Sequence, residues 1–390
     1  MKSIEILEHI ENKIVILRLD LNVPIKGGKI LDTNRIDKII PTLNFLVKKK
    51  ARIIIISHIG RPNGKIVKEL SLKPVSLYIK DIVKEDVSLI KENIFNLSKE
   101  DIFKNSGNKI VLLENIRFYP EEEANDNKFA ERLASLGEIY VNDAFSCSHR
   151  NHASVSRITK YIPSYCGFQI NTEVNALNKI TTEINKPITC IIGGSKISSK
   201  INIIKNLIPK FNNIIIVGAM ANNIFKYKGL KIGNSLYEKN IDNIIKEIFE
   251  CANKNKCKIY VPVDIKVGKK LDDRSIEKDF KEIENDDIIL DVGSKTIVGI
   301  KKIIDESLTI LWNGPLGYFE NENFSLGSIE IAKYIANKGE KIFSVAGGGD
   351  TVAVINSINI DNKFNFVSTA GGAFLEYLEG KVLPGIKALD

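Results

Sequence analysis

Short apolar, β-branched runs recur along the whole chain, at residues 14–23, 52–58, 110–117, 138–145, 187–193, 213–220, 258–264, 308–312, 341–346 and 364–369. Between most of them the apolar positions take a helical period, as in "NRIDKIIPTLNFLVKKK", "KFAERLASL" and "KINIIKNLIPKF". Strands alternating with helices predict parallel sheets covered on both faces, a doubly wound α/β architecture. Ten such strands are too many for one ordinary sheet, so two sheets in two domains are expected. The stretch "YIPSYCGFQINTEVNALNKITTEINKP" reads as strand-free and separates one series from the next. It predicts a connecting helix at about residues 168–184.

Length supports the same division, because 390 residues exceed the size at which one core keeps growing. With 44% hydrophobic and 27% charged residues the composition is that of an ordinary soluble protein. No apolar run is long enough to span a bilayer, and "MKSIEILEHIENK" carries acids where a signal peptide would need an apolar core. The five cysteines, at 147, 166, 190, 251 and 257, form no CxxC pair and no zinc spacing, which favours reduced thiols in a cytoplasm.

The net charge of +8 fits a polyanion partner or, more plainly, a lysine-rich surface. No basic helix or interleaved aromatic pattern marks a nucleic-acid surface. Arginine is more selective. Eight of the nine arginines fall within the first 157 residues, while lysine supplies 47 of the 56 basic side chains. A chain this sparing with arginine keeps it where a planar, bidentate donor faces carboxylate or phosphate.

Ligands of open α/β sheets bind beyond the carboxyl ends of the strands. Here those ends read "RLDLNVP", "SHIGRP", "NIRFYPEEE" and "NDAFSCSHRNHAS", rich in Arg and His, then "IIGGSKISSK", "VGAMANN", "LWNGPLGYFE" and "AGGGDT", rich in Gly and Lys. The split suggests a small anionic substrate on the first domain and a nucleotide on the second.

In "VILRLDLNVP" alternation puts Leu17, Leu19 and Leu21 on one face and Arg18, Asp20 and Asn22 on the other. Such polar groups at a buried strand's end form either a structural network or a site. Arg35 falls in the first turn of a helix opened by an Asp or Thr cap, where a cation opposes the dipole and a compensating anion is expected. It could equally be a tolerated surface residue. Arg61, Arg117 and Arg150 end three further strands, and His58 alone would serve as a structural imidazole. Together these termini suit a ligand with several negative charges.

In the second half, Lys196 and Lys200 stand four apart after a glycine turn, a spacing that shares one helical face or merely a solvated surface. Neither a Walker A loop nor GxGxxG occurs, which counts against another nucleotide-dependent enzyme of doubly wound fold, such as a ligase or dehydrogenase. "AGGGDT" brings backbone amides to a helix start beside Asp350, an acid misplaced among phosphate-binding glycines unless it holds Mg²⁺ that bridges nucleotide phosphates.

Eight motifs in order, "RLDLNVP", "SHIGRP", "LLENIRFYPEEE", "NDAFSCSHRNHAS", "GGSKISSK", "LWNGPLGYFE", "AGGGDT" and "STAGGAFLEYLEGKVLPG", resemble those of the phosphoglycerate kinase family. The resemblance spans essentially the whole chain. It implies two Rossmann-like domains joined by a hinge helix, with domain closure bringing two sites together. A 3-phosphoglycerate domain would cover 1–167 plus about 376–390, the interdomain helix 168–184, and a nucleotide domain 185–375. The reaction implied is reversible phosphoryl transfer between ATP or ADP and the 1-carboxyl of 3-phosphoglycerate, with Mg²⁺, in a cytoplasmic monomer without nucleic-acid or membrane partners.

By position, the resemblance gives Asp20, Leu21, Asn22, Arg35, His58, Ile59, Gly60, Arg61, Arg117 and Arg150 to 3-phosphoglycerate. It gives Lys200, Glu320, Gly348, Gly349, Asp350 and Thr351 to the nucleotide, Asp350 to the metal, and Arg35, Lys196 and Lys200 to the transferring group. Three departures touch the nucleotide side. Val217 and Ala219 stand where the family has glycines, Ser294 replaces a proline, and Ala370 replaces a glycine. A narrowed base slot and looser nucleoside discrimination would follow from the first.

Overall fold

The computed structural model describes residues 1–104 and 109–390. The chain divides into two compact units, one of Met1–Asn175 with Val382–Asp390 and one of Ala176–Lys381.

The first unit is built on a six-stranded parallel sheet in the order Val87–Ile90, Ile110–Leu113, Arg52–Ile56, Ile14–Arg18, Ile139–Asn142, Ser164–Cys166. Every residue of the central Ile14–Arg18 strand is buried, and Leu17 stands level with Ile55 and Val141 on its two neighbours. Alternation sorts the strands' side chains into two cores. Val15, Leu17, Ile53 and Ile55 pack with Leu43 and Leu46 of the helix Asn34–Lys48. Ile14, Ile16, Ile54 and Ile56 pack with Phe129 and Leu133 of the helix Asn127–Ser135. Each such Leu or Ile contributes about 1.5–3 kcal/mol through burial.

The second unit repeats the plan. Its six parallel strands run Lys258–Tyr260, Asn213–Ile216, Ile188–Ile192, Thr309–Asn313, Phe343–Gly347, Phe366–Ser368. Ile191, Trp312 and Ala346 lie in one core with Ile300 and Ile331 from covering helices. A three-stranded antiparallel sheet, Ile276–Lys278, Ile265–Gly268 and Ile288–Val292, lies beside it.

The architecture is the doubly wound α/β one that the pattern implies, but the expected strand list omits the antiparallel Ile265–Gly268, Ile276–Lys278 and Ile288–Val292 and the short pair Ile25–Lys26 and Lys29–Ile30, and the first parallel sheet needs correction as well. Val87–Ile90 was not expected, since all four residues are only partly buried and give no sustained apolar run. Ser164–Cys166 lies inside the stretch read as strand-free; three residues paired to one neighbour are too short to show a period. The run 14–23 is strand only to Arg18, after which Leu19–Val23 leaves the ladder and carries Asp20 and Asn22 with it.

The helix Phe168–Thr181 crosses from the first unit to the second. Its start is held by Asp143, just past the strand Ile139–Asn142, whose Oδ1 accepts from the Ile170 N–H at 3.1 Å. Gly167 is required there, because a Cβ would lie 2.3 Å from the Asp143 carboxyl. Burial pushes the Asp143 carboxyl up to about 7. The helix Gly372–Leu378 belongs to the second unit, and the return to the first begins at Val382, where the Gly385 N–H donates to the Ser148 carbonyl.

Candidate active site

Four chain segments leave the first sheet at its carboxyl edge and interlock through polar groups. Arg35, in the first turn of its helix, donates from one guanidinium nitrogen to Asp20 Oδ2 at 3.0 Å and to the Asn22 carbonyl at 3.3 Å. The compensating anion that its position requires is therefore already present in the protein. Asp20 also accepts from the Ser146 hydroxyl and from the Asn22 N–H. Asn22 Oδ1 accepts from the Gly60 N–H at 3.0 Å, and Arg117 donates to the Gly60 carbonyl at 2.9 Å. One chain of contacts thus links Arg35, Asp20, Asn22, Gly60 and Arg117. Gly60 makes the turn at φ +62°, a region that favours glycine.

His58 is buried, and its Nδ1 lies 3.2 Å from an Arg18 nitrogen. Burial first, then Arg18 and Arg117, hold its pKa well below the ordinary value. His152 is pushed down to about 4, also mainly by burial. Burial likewise lowers Arg117, though a guanidinium so placed keeps its charge.

Arg61 and Arg150 sit exposed at their loop ends, and neither side chain makes a hydrogen bond or ion pair among the described residues. The side chains of Leu21 and Ile59 are buried in the apolar core. Their backbones are engaged as well: the Leu21 N–H donates to Ser57 Oγ and the Ile59 carbonyl accepts from Asn115 Nδ2. Sequence reasoning passed over Ser146, Glu122 and Ser154, which lie in or behind this network. Small hydroxyl residues carry no signal by themselves. The buried Arg18 was visible only as part of the polar alternation.

On the second unit, Lys200 stands at the start of the helix Ile201–Leu207, with Nζ donating to Asn313 Oδ1 at 2.6 Å and to the Gly193 carbonyl. Burial lowers its pKa to about 8, and the nearby Asp350 carboxylate works against that shift. Lys196 does not share a helical face with it. The helical turn begins only at Ser198, and Lys196 lies exposed in the loop before it.

Asn313 ties this end together, donating from Nδ2 to the Gly347 carbonyl at 2.6 Å while its own carbonyl accepts from the Gly193 N–H. It was not singled out in the sequence. Its signal was the single polar residue closing the apolar strand "TILWN". Two strand ends meet here backbone to backbone. A Cβ on Gly193 would lie 2.1 Å from the Pro315 carbonyl oxygen, and one on Gly314 would lie 2.2 Å from that of Gly193.

Gly348, at φ +98°, precedes the helix Gly349–Ser357, whose first turn holds exposed Asp350. An acid there is favoured by the helix dipole, which gives Asp350 a structural reason besides any metal. Thr351 is fully buried, and its hydroxyl accepts from the Gly314 N–H at 2.6 Å. The adjoining cleft, of about 390 Å³, is lined by Gly194, Ala219, Phe225, Leu236, Glu320 and Asp350 among others. Val217 is not on its wall. It is buried in the core with Trp312 and Val292, so of the two departures from glycine only Ala219 meets the cleft. Ser294 opens the helix Ser294–Asp305 and donates to Glu277, while Asp264 holds that helix start through the Lys295 and Thr296 N–H groups. Ala370 is buried in a turn, its N–H on Ser368 Oγ.

Comparison with known proteins supplies the family. The family model described as phosphoglycerate kinase matches residues 4–381. A phosphoglycerate kinase of Wolbachia pipientis is 45% identical over 386 residues, covering 98% of this chain and 96% of that protein. One from Bartonella bacilliformis is 42% identical over 385 residues, with 98% and 96% covered. The solved phosphoglycerate kinase of Coxiella burnetii superposes with a TM-score of 0.90 at 37% identity, covering 98% of this chain and 97% of that one. That of Pyrococcus horikoshii gives 0.81 at 28% identity, with 100% and 98% covered. Matches of this length leave no part of either sheet outside the comparison, and the chain belongs to the phosphoglycerate kinase family, kinases of glycolysis.

Proposed function

We propose that the chain carries out its family's reaction, reversible phosphoryl transfer between ATP or ADP and the 1-carboxyl of 3-phosphoglycerate, with the arginine network of the first unit as the acid's site and the glycine-rich loops of the second as the nucleotide's. The observation that carries this reading is the linked set Arg35, Asp20, Asn22, Gly60 and Arg117 at the carboxyl edge of one parallel sheet. Exposed Arg61 and Arg150 beside it are free to turn onto a multiply charged ligand, which the internally bonded residues cannot do without exchange.

Little covalent chemistry is asked of the protein in phosphoryl transfer, so positioning and charge stabilisation carry the rate. A carboxylate is already a competent acceptor and needs no general base. Arg35 and Lys196 would face the charge that grows on the transferring group, with Lys200 and the amides of Gly348 and Gly349 on the phosphates. Lys200 now gives its protons to neutral oxygens, and a phosphate would replace them with charge-assisted bonds. Glu320, on the cleft wall, fits a ribose hydroxyl.

The donor set fits Mg²⁺, since one exposed carboxylate, Asp350, lies where phosphates would supply the remaining oxygens. Bound there, the ion would neutralise phosphate charge. Asp350→Ala should therefore lower activity at limiting Mg²⁺ and recover part of it as Mg²⁺ is raised; unchanged activity at limiting Mg²⁺ would leave Asp350 with its dipole role alone. Five free thiols accord with a cytoplasmic setting, and a monomer suffices for this chemistry. Among the described residues no helix is long and apolar enough to cross a membrane. The deciding experiment is a coupled assay on purified protein with 3-phosphoglycerate and ATP, where absence of turnover would reject the reading.

A further inference from the structure

Arg18 is almost wholly buried and, besides a 3.8 Å contact from one terminal nitrogen to Cys147 Sγ, spends its donors in three directions. Nε donates to Ser154 Oγ at 3.0 Å, one terminal nitrogen donates to the Leu19 carbonyl, and the other lies 3.2 Å from His58 Nδ1. A guanidinium has donors only, so each partner atom must present a lone pair. Ser154 Oγ accepts from Arg18 and therefore sends its one proton on to Glu122 Oε1, 2.7 Å away. Glu122 Oε2 takes the Ser154 N–H at 2.9 Å, and the carboxylate is fully buried. The row Arg18, Ser154, Glu122 thus has one direction.

The same reasoning applies at the other end. A proton on His58 Nδ1 would set two N–H groups face to face across 3.2 Å. We propose that Arg18 is a positioning residue that holds His58 as a neutral imidazole with its proton on Nε2, so that His58 meets an anionic substrate as a hydrogen-bond donor and not as a charge. The inference rests on the reading of this network as the 3-phosphoglycerate site. The surroundings support it: the charged or titratable groups acting on His58 are Arg18, Arg117, His152 and Arg35, with Cys147 Sγ 3.9 Å from Nδ1. Nothing in that set favours an imidazolium. The positive charge of the site resides on guanidinium groups, which do not titrate, and histidine adds direction without adding pH dependence.

Histidine ring ¹⁵N–¹H spectra of the ¹⁵N-labelled protein test this directly, with the chain's four histidines assigned by single substitutions. His58 should show one ring proton, on Nε2, and no titration between about pH 5 and 8. A proton on Nδ1, or titration within that range, would overturn the proposal. In Arg18→Met the donor to Nδ1 is gone, so the Nε2 tautomer loses its constraint and an Nδ1–H population should appear beside it; an unchanged single Nε2–H form would overturn the role given to Arg18. If that variant does not fold, the spectra of the unaltered protein still decide. A second arm adds 3-phosphoglycerate to the unaltered protein, which should move the Nε2 proton resonance while leaving Nδ1 unprotonated. A correct tautomer with no response to 3-phosphoglycerate would overturn the site assignment, whereas a response from a charged or Nδ1-protonated ring would overturn the role given to Arg18.

Discussion

Arg35 shows how one neighbour changes the outcome expected of a residue. A cation in a helix's first turn costs about 0.3–1 kcal/mol when unopposed, so on that ground alone its removal would stabilise the protein. Asp20 at 3.0 Å reverses the sign. Because the arginine is a third exposed, Arg35→Ala should lose only about 0–1 kcal/mol, with Asp20 still held by Ser146 and the Asn22 N–H. The same variant should lower kcat on the order of 10³-fold, and Arg35→Lys should recover only part of that. A melt and a rate profile on both variants check the pair, and an effect confined to KM would make Arg35 a binding residue. Lys200 offers a pH test. Its pKa is lowered to about 8, so the cation that phosphate needs is present below that pH and lost above it. Nucleotide affinity should fall as pH rises through about 8, by about tenfold one unit above, since the charged fraction falls tenfold per unit. Titrating nucleotide at several pH values would show it, and Lys200→Ala should bind weakly with that slope removed.

At the level of elements, the helix Phe168–Thr181 depends on a contact that its own sequence does not announce. Gly167→Ala would drive a methyl into the Asp143 carboxyl and should destabilise the protein by about 1–3 kcal/mol, read as a fall in Tm. Asp143 has its folded pKa raised to about 7, so its protonated form is the one the fold prefers. Its contribution is complete at acid pH and disappears as pH rises through about 7. Asp143→Asn, which cannot ionise, should flatten that part of the stability profile, and an unchanged slope would remove Asp143 from the account. Such contacts mark where sequence reading stops. The central strands and the loops at their carboxyl ends were legible because a buried parallel strand is apolar on both faces, and a polar residue at its end stands out. Ser164–Cys166 was not, because an edge strand of three residues has no period to detect. Likewise the spacing of Lys196 and Lys200 suggested a shared helical face, but where a helix starts depends on its cap and tertiary contacts, and this one begins too late. Val217 was misjudged for a related reason, since motif position identifies a residue but not the direction of its side chain.

For the whole molecule, the uneven use of arginine is the plainest mark of division of labour. Eight of nine lie in the first 157 residues, and lysine and glycine serve the strand ends of the second unit. Hydrogen exchange should follow that division: 3-phosphoglycerate should slow amides around Leu19–Val23 and His58–Arg61, and nucleotide those around Gly193–Lys200 and Gly347–Thr351. At a hundred times Kd each ligand adds about 2.7 kcal/mol to the unit that binds it, enough to register. Protection of the opposite unit by either ligand alone would contradict the assignment. The close meeting of Gly193 and Gly314 has a further, hereditary consequence. Every amino-acid change reachable by one base from a glycine codon adds a side chain, and neither position has room for even a methyl. These two codons can therefore drift only through silent mutations, and a lineage shifting its nucleotide preference would have to select changes at other positions, such as Ala219, Phe225 or Leu236 on the cleft wall.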